Sequence, residues 1–287
     1  MANFDIIGDV HGHASLLLEL LEILGYEKNK GTFFHPLGHK IIFVGDLINR
    51  GPDTTKVLEI VQSLHSKKQA FAVLGNHEFR LIQQFIKNPK WVDPKIKPFI
   101  PWIRSLPLFL EFRELRVVHA AWHFSSIEKL KNQSAEDTNF IRSTFEPMSE
   151  FGQAIDIILR GITVPIPNEL NYFDRFGIQR KKARIRWWEG GKNKIDGSNF
   201  FPKSKTLLTE SLTMKSPEIR QEYTHKERPL FLGHYCLPVD EPKVIKNVVC
   251  VDGCVTCEKV LWAYQFKSGE EISNVNLVQT QKSGLIG

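Results

Sequence analysis

The sequence predicts an α/β fold whose first third is built on parallel strands, and three observations carry that reading. Over residues 4–85, short apolar runs of strand length alternate with longer helical stretches. The resulting β-α-β-α-β order implies parallel strands joined by right-handed crossovers. Each of the three apolar runs ends in a short polar cluster: Asp9-Val10-His11, Gly45-Asp46-Leu47-Ile48-Asn49-Arg50-Gly51 and Gly75-Asn76-His77-Glu78. Ligands of such sheets bind beyond the carboxyl ends of the strands, which is where all three clusters fall.

In chain order, Phe4 to Gly8 reads as the first strand, and Ala14 to Leu24 as a helix by length and residue preference, with Gly25 as its stop. Lys40-Ile41-Ile42-Phe43-Val44 is a continuous apolar run, hence a buried strand. A helix over 54–65, a strand Ala70-Phe71-Ala72-Val73-Leu74 and a helix from about His77 follow. The segment 88–107 is rich in Pro, Trp and Lys and reads as a cap or helical insertion. Strands are expected at Leu108 to Phe112, Leu115 to His119, Pro229 to Leu232, Val244 to Val251 and Lys259 to Tyr264. Between them, 123–228 reads as an inserted segment with a helix near Phe151 to Leu159 and a basic strand before Trp187-Trp188. The last twenty or so residues are polar and are expected to be a loosely held tail. Residues 1–287 are thus expected to form one domain, with cap or insertion segments near 88–107 and 123–228.

Composition excludes several classes. Apolar content of 42% and charged content of 24% are ordinary for a soluble globular protein. No stretch approaches the ~20 apolar residues that span a bilayer, so no membrane partner is expected. A strand beginning at Phe4 leaves no room for a signal peptide, which makes a cytoplasmic location the default expectation. The net charge of +6 is mild and compatible with a phosphorylated substrate. Arg180 to Arg186 is the densest basic run, but its alternation reads as a strand with one solvated face, and nucleic acid is not the expected partner. Of the four cysteines, Cys250, Cys254 and Cys257 are spaced C-x3-C-x2-C while Cys236 stands apart beside His234. Cys250 lies in a strand-like run and reads as a core residue, and neither zinc nor a disulfide is the expected state of the group.

The clusters carry the chemistry. Two divalent ions about 3.5–4 Å apart need one bridging carboxylate and further oxygen and nitrogen ligands on each ion. Asp46, between the other clusters and just after a buried strand, is the natural bridge. Asp9 and His11 flank a strand end, so a turning backbone aims both at one ion. Asn76, His119 and His234 complete the second. Such mixed ligation suits Mn, Fe, Zn or Co better than Ca, with Mn the first expectation. Singly, Asp9 and Asn76 read equally well as helix caps, and His11 or His119 as an ordinary histidine. Glycines before Asp9, Asp46, Asn76 and His234, which admit close backbone approach, favour the joint reading.

The set Asp9-x-His11, Gly45-Asp46-x-x-Asn49-Arg50-Gly51, Gly75-Asn76-His77-Glu78, His119 and Gly233-His234 resembles the calcineurin-like metallophosphoesterase superfamily. Within it, the phosphoprotein-phosphatase branch and its bacterial relatives, the symmetrical diadenosine tetraphosphatases among them, are the most similar. Val251-Asp252-Gly253 is also similar to those relatives. The likeness is close over 4–85 and weaker over 105–122 and 229–264, and it does not settle the middle segment. It implies a four-layer sandwich of two mixed β-sheets flanked by helices. It also implies Asp9, His11 and bridging Asp46 on one metal, Asp46, Asn76, His119 and His234 on the other, and direct attack by a metal-bridging hydroxide on phosphorus. Arg50 then holds phosphate oxygens and His77 protonates the leaving oxygen.

One position departs from that pattern. Asn49 stands where protein phosphatases carry an aspartate that pairs with the catalytic histidine. An amide orients His77 without stabilising its cation, so His77 is expected to be a weaker general acid with a lower pKa. That weakness matters least for good leaving groups, which directs the substrate toward a nucleoside polyphosphate or an aryl phosphate. A protein serine/threonine or tyrosine phosphatase is the alternative within the class, and a non-catalytic nucleotide or partner sensor the alternative outside it. The partner is then a phosphorylated small molecule or nucleotide, with phosphoprotein second. Arg160, Arg184 and Arg186 are candidates for a second phosphate contact, Arg186 preferred because Trp187-Trp188 follows it.

Overall fold

The structure is a computed structural model and describes residues 3–29, 31–166, 179–189, 200–201, 223–241 and 243–281. Its elements run β1 (Asn3–Ile7), α1 (Ala14–Ile23), β2 (Glu27–Asn29), β3 (Thr32–Phe34), β4 (Lys40–Phe43), α2 (Thr54–Ser66), β5 (Ala70–Ala72) and α3 (Asn76–Lys87). Next come α4 (Ile100–Ser105), β6 (Phe109–Glu111), β7 (Arg116–Val118), α5 (Phe124–Leu130), α6 (Thr138–Ser143) and α7 (Glu150–Arg160). The chain continues through β8 (Thr163–Pro165), β9 (Lys182–Ile185), β10 (Phe200–Phe201), β11 (Leu230–Leu232), β12 (Val244–Ile245) and β13 (Val248–Cys250). It closes with α8 (Val255–Glu258), β14 (Trp262–Lys267) and β15 (Leu277–Gln279).

Two five-stranded mixed sheets form the centre, one ordered β15-β14-β1-β4-β5 and the other β12-β13-β11-β7-β6. In the first, β1, β4 and β5 are parallel, and in the second β7, β11 and β13 are parallel. Side-chain alternation sets the layers. Phe4, Ile6, Ile42, Val44, Phe231, Val249 and Val251 form one buried cluster between the sheets. Their neighbours Ile7, Ile41, Phe43, Leu230, Leu232, Val248 and Cys250 point the other way, into the core shared with the helices. Each sheet therefore buries both faces, and the four-layer sandwich follows. A third, antiparallel sheet β10-β9-β8 stands apart from these two.

Several expectations change. The polar C-terminal stretch is held: β15 pairs antiparallel with β14, and Thr280 is fully buried with its hydroxyl accepting the Leu261 N–H at 3.0 Å. Trp187 and Trp188 are buried in the main core, and the Trp187 indole donates to the Ala120 carbonyl at 3.1 Å. The segment 88–107 contributes Ile100 and Ile103 to the core through α4. Among the described residues, no helix is long and apolar enough to cross a membrane.

One buried charge lies on β1, away from the strand ends. Asp5 is fully buried and accepts the Tyr26 hydroxyl at 2.8 Å and the His39 ring N–H at 3.3 Å. His35 stacks on His39, but its two ring nitrogens already meet the Leu24 carbonyl and the Leu37 N–H, each at 3.1 Å. Burial pushes the Asp5 carboxyl pKa up, against the lowering pull of Tyr26 and the two histidines. A folded-state pKa above the unfolded one means the native state holds more protons just above the ordinary aspartate range, so stability falls as pH rises from about 4. Asp5→Asn is expected to flatten that decline, which urea midpoints measured from acid to neutral pH will read.

Candidate metal centre

The centre forms where β1, β4, β5, β7 and β11 end. The loops there are tight enough to force unusual backbone: His11, Asp46, Asn49, Arg50 and His234 all have positive φ, between 45° and 70°. Non-glycine residues in that region store strain, which clusters at functional sites. Two of the glycines are required by contact rather than by φ. A Cβ on Gly75 would lie 2.2 Å from Asp46 Oδ1, and one on Gly233 would lie 2.0 Å from Asp9 Oδ1.

Asp46 is the hub. Its Oδ2 lies 3.6 Å from His11 Nε2, 3.4 Å from His119 Nε2 and 4.0 Å from His77 Nε2. Its Oδ1 accepts the His77 backbone N–H at 3.0 Å. Two groups of metal-competent atoms share it: His11, Asp46 and His77, and Asp46, His119 and His234, each group within 4.8 Å. Asn76 Oδ1 stands 3.2 Å from His119 Nε2. The far nitrogens of two rings are occupied, His11 Nδ1 by the Ile48 carbonyl at 3.1 Å and His119 Nδ1 by the Val44 carbonyl at 2.8 Å. Anchoring one ring nitrogen on a carbonyl leaves the other as the ligand, the usual arrangement for metal-binding histidines. Asp9, 2% exposed, reaches the same cleft and accepts the His234 N–H on both oxygens at 3.2 and 3.1 Å.

Electrostatics supply an independent test of fit. His234 Nε2 is buried without a hydrogen-bond partner among the described residues. Burial, then Arg184 and His119, hold that ring well below its usual pKa, so it is neutral with a lone pair to offer. Burial, then Asp252 and Asp46, push the Asp9 carboxyl well above the usual range. Burial also pushes Asp46 up, but the facing rings of His119, His11 and His77 outweigh it and hold this carboxyl far below. A crowd of buried carboxylates beside a neutral, orphaned imidazole is what a divalent cation relieves. The donor set fits divalent metal ions with mixed O/N preference.

Two neighbours organise the centre without belonging to the expected ligand set. Glu78, fully buried, accepts backbone N–H groups from Asp46 (2.8 Å), Leu47 (2.9 Å), Ile48 (3.1 Å) and Gly75 (3.0 Å). It clamps the loop after β4 to the loop after β5. In the sequence it is simply an acidic residue in the first turn of a helix; only the fold shows the four donors. Asp252, after β13, accepts the N–H groups of Cys236 at 2.5 Å and Cys254 at 2.8 Å. The conspicuous Val251-Asp252-Gly253 run was the signal for it.

His77 and Asn49 meet, with Asn49 Nδ2 2.9 Å from His77 Nδ1. His77 is pushed down to about 4, first by burial and then by His11, Arg50 and His119 against the opposing pull of Asp46. Arg50 is exposed on the wall of the cleft. That cleft encloses about 750 Å³ and has three walls. The first is the cluster around Asp46. The second is basic, with Thr163, Arg180, Lys182 and Arg184 from β8, β9 and the residues before β9. The third carries Cys236, Asp252, Cys254, Cys257 and Glu258.

Arg186 requires a correction. It lines the cleft but is 2% exposed, and its Nη1 is committed to Glu241 at 2.7 Å and Glu189 at 3.1 Å. A guanidinium neutralised by two carboxylates is a structural tie rather than a phosphate ligand. The cysteines correct a second expectation: Cys236 does not stand apart but is joined to Cys254 by a disulfide. Cys250 is the buried core residue expected.

A four-layer sandwich with carboxylate, imidazole and amide groups gathered at its strand ends is the scaffold of a metal-dependent phosphoester hydrolase. The sequence model of the calcineurin-like phosphoesterase family matches residues 2–161, and the chain belongs to that family. It is 30% identical over 273 residues to a protein of Oceanobacillus iheyensis named bis(5'-nucleosyl)-tetraphosphatase PrpE (asymmetrical), covering 94% of this chain and 90% of the relative. A protein of the same name from Halalkalibacterium halodurans is 35% identical over 133 residues, covering 44% of this chain and about half, 54%, of the relative's own length. Among solved structures, the fold is similar to a cold-active protein-tyrosine phosphatase of a Shewanella species, with TM-score 0.51, 13% identity and coverage of 98% of this chain and 81% of that one. It is similar to the same degree, TM-score 0.51 at 16% identity, to a protein serine/threonine phosphatase from Saccharomyces cerevisiae, covering 97% and 78%.

Proposed function

We propose that this protein hydrolyses phosphoanhydrides of nucleoside polyphosphates in a cytoplasmic setting, using two divalent ions, Mn first among them. Asp9, His11 and Asp46 would hold one ion, and Asp46, Asn76, His119 and His234 the other. When bound, such ions activate water near neutral pH and neutralise phosphate charge. Arg50 then clamps non-bridging oxygens with a permanently charged, bidentate donor. His77, oriented by Asn49, hands a proton to the leaving oxygen from its Nε2 side, the side facing Asp46.

The observation that carries the substrate class is the basic wall. Arg180, Lys182 and Arg184 share one cleft with the cluster around Asp46, so phosphates beyond the reacting one meet further cations. Asp252 and Glu258 also line the cleft and repel those phosphates, which favours placing them on the basic residues of β8 and β9. Phe201 gives the cleft an aromatic face on which a base can stack. His77 held low suits an anhydride, whose leaving phosphate needs little help from an acid.

The deciding experiment takes metal-stripped protein reconstituted with Mn and assays diadenosine tetraphosphate, phosphoserine and phosphotyrosine peptides, and an aryl phosphate. Diadenosine tetraphosphate is expected to be the fastest. The relatives' name specifies asymmetrical cleavage, so ATP plus AMP is the expected product pair rather than two ADP. Faster release from a phosphopeptide would replace the reading, and no turnover of any substrate at full metal occupancy would end it. Asn49→Asp is expected to raise turnover of an alkyl phosphate by roughly tenfold while leaving the anhydride and aryl rates nearly unchanged. Equal gains on all three would remove Asn49 as a determinant of substrate choice.

A further inference from the structure

The third wall of the cleft holds reactive groups that phosphoester chemistry does not use. Cys236 follows β11, two residues after His234, and is joined by a disulfide to Cys254, which caps α8 after β13. The two parallel strands bring these positions together across 18 residues. Cys257 lies three residues beyond Cys254, its N–H on the Cys254 carbonyl at 2.9 Å. It is exposed and outside the disulfide, while Cys254 is 5% exposed. The three sulfur atoms lie within 4.8 Å of one another, and all three residues line the cleft.

We propose that Cys236, Cys254 and Cys257 form a thiol–disulfide exchange site that takes small thiols and dithiols as reagents. Exchange requires a thiolate within reach of a disulfide sulfur and a leaving thiol. Cys257 loses its proton to solvent and attacks Cys254 Sγ. The Cys254–Cys257 bond forms as the Cys236–Cys254 bond breaks, and the electron pair leaves on Cys236, which takes a proton from water in the cleft. One disulfide is present before and after, so the step needs no oxidant. An external thiol or dithiol enters at exposed Cys257 to remove the bridge, and its disulfide form restores it. The exchange changes what borders the metal centre: in one state the segment Gly233–Cys236 is tied to the loop before α8, in the other a thiol stands two residues from His234. That consequence rests on the metal reading above; the exchange itself does not.

The test equilibrates the full-length protein with reduced and oxidised glutathione, quenches with acid, alkylates under denaturing conditions and maps the cysteines by mass spectrometry. Wild type is expected to give two bridged forms, one with Cys257 alkylated and one with Cys236 alkylated, Cys250 being alkylated in both. Cys257→Ser should give only the Cys236–Cys254 bridge, and Cys236→Ser only the bridge between Cys254 and Cys257. A wild type that shows the Cys236–Cys254 form alone at every glutathione ratio overturns the proposal. So does one equivalent of zinc that Cys257→Ser removes, which would make the three sulfurs a metal site. Mn binding followed by electron paramagnetic resonance reads the consequence: Cys236→Ser is expected to bind at least about tenfold more weakly than Cys257→Ser, the range for lost outer-shell support. Equal affinities overturn the link to the centre. If neither variant binds Mn, it is the metal reading that fails, and the mapping still decides the exchange.

Discussion

Asp46→Asn is expected to remove metal binding and to cut turnover by about a thousandfold or more, the several kcal/mol of charge stabilisation that metal ions supply. The substitution keeps size and shape but takes the charge from the carboxylate that stands in both groups of donor atoms. Its Oδ2 faces three imidazoles at 3.4 to 4.0 Å, and an amide there would offer either one weaker oxygen or an NH2 that repels a cation. The fold should survive, because the backbone N–H of residue 46 still bonds Glu78. Metal analysis of the purified variant together with Mn-dependent assay checks both halves. Two ions retained at full rate would show that Asp46 is not the bridge.

His77→Asn is expected to lower turnover by about 10²–10⁴-fold, the range of general acid–base catalysis, with the metals still bound. The ring is only partly buried and its Nε2 is the farthest of the three imidazole nitrogens from Asp46 Oδ2, at 4.0 Å. Its backbone N–H, which bonds Asp46 Oδ1, is untouched. The loss should be larger for an alkyl phosphate than for diadenosine tetraphosphate, because a triphosphate leaves without a proton more readily than an alkoxide. Loss of metal in this variant would move His77 from proton donor to ligand. The geometry permits that outcome, since His77 shares a donor group with His11 and Asp46.

The first third of the chain was legible because its physics is local. Buried parallel strands read as apolar runs, their ends are punctuated by glycine, and the polar residues that follow have little choice but to gather beyond the sheet. His119 and His234 were legible for the same reason, each closing a strand of the second sheet. What escaped depends on tertiary pairing. Arg186 looked like a cation facing a ligand until Glu241, 55 residues on, proved to be its partner. The Cys236–Cys254 bridge needs β11 and β13 side by side, which no spacing rule encodes. The C-terminal strand was missed because it is only Leu277–Gln279, too short to show a pattern inside a polar stretch: as an edge strand it pairs with β14 alone, and the Gln281 N–H is held by Glu19 at 2.8 Å.

The four N–H groups gathered by Glu78 have a consequence for the protein's life before it meets a metal. The loops that carry Asp46 and Asn76 are fastened to each other by the polypeptide itself. A pocket held in this way is expected to release and take up its metal while the chain stays folded.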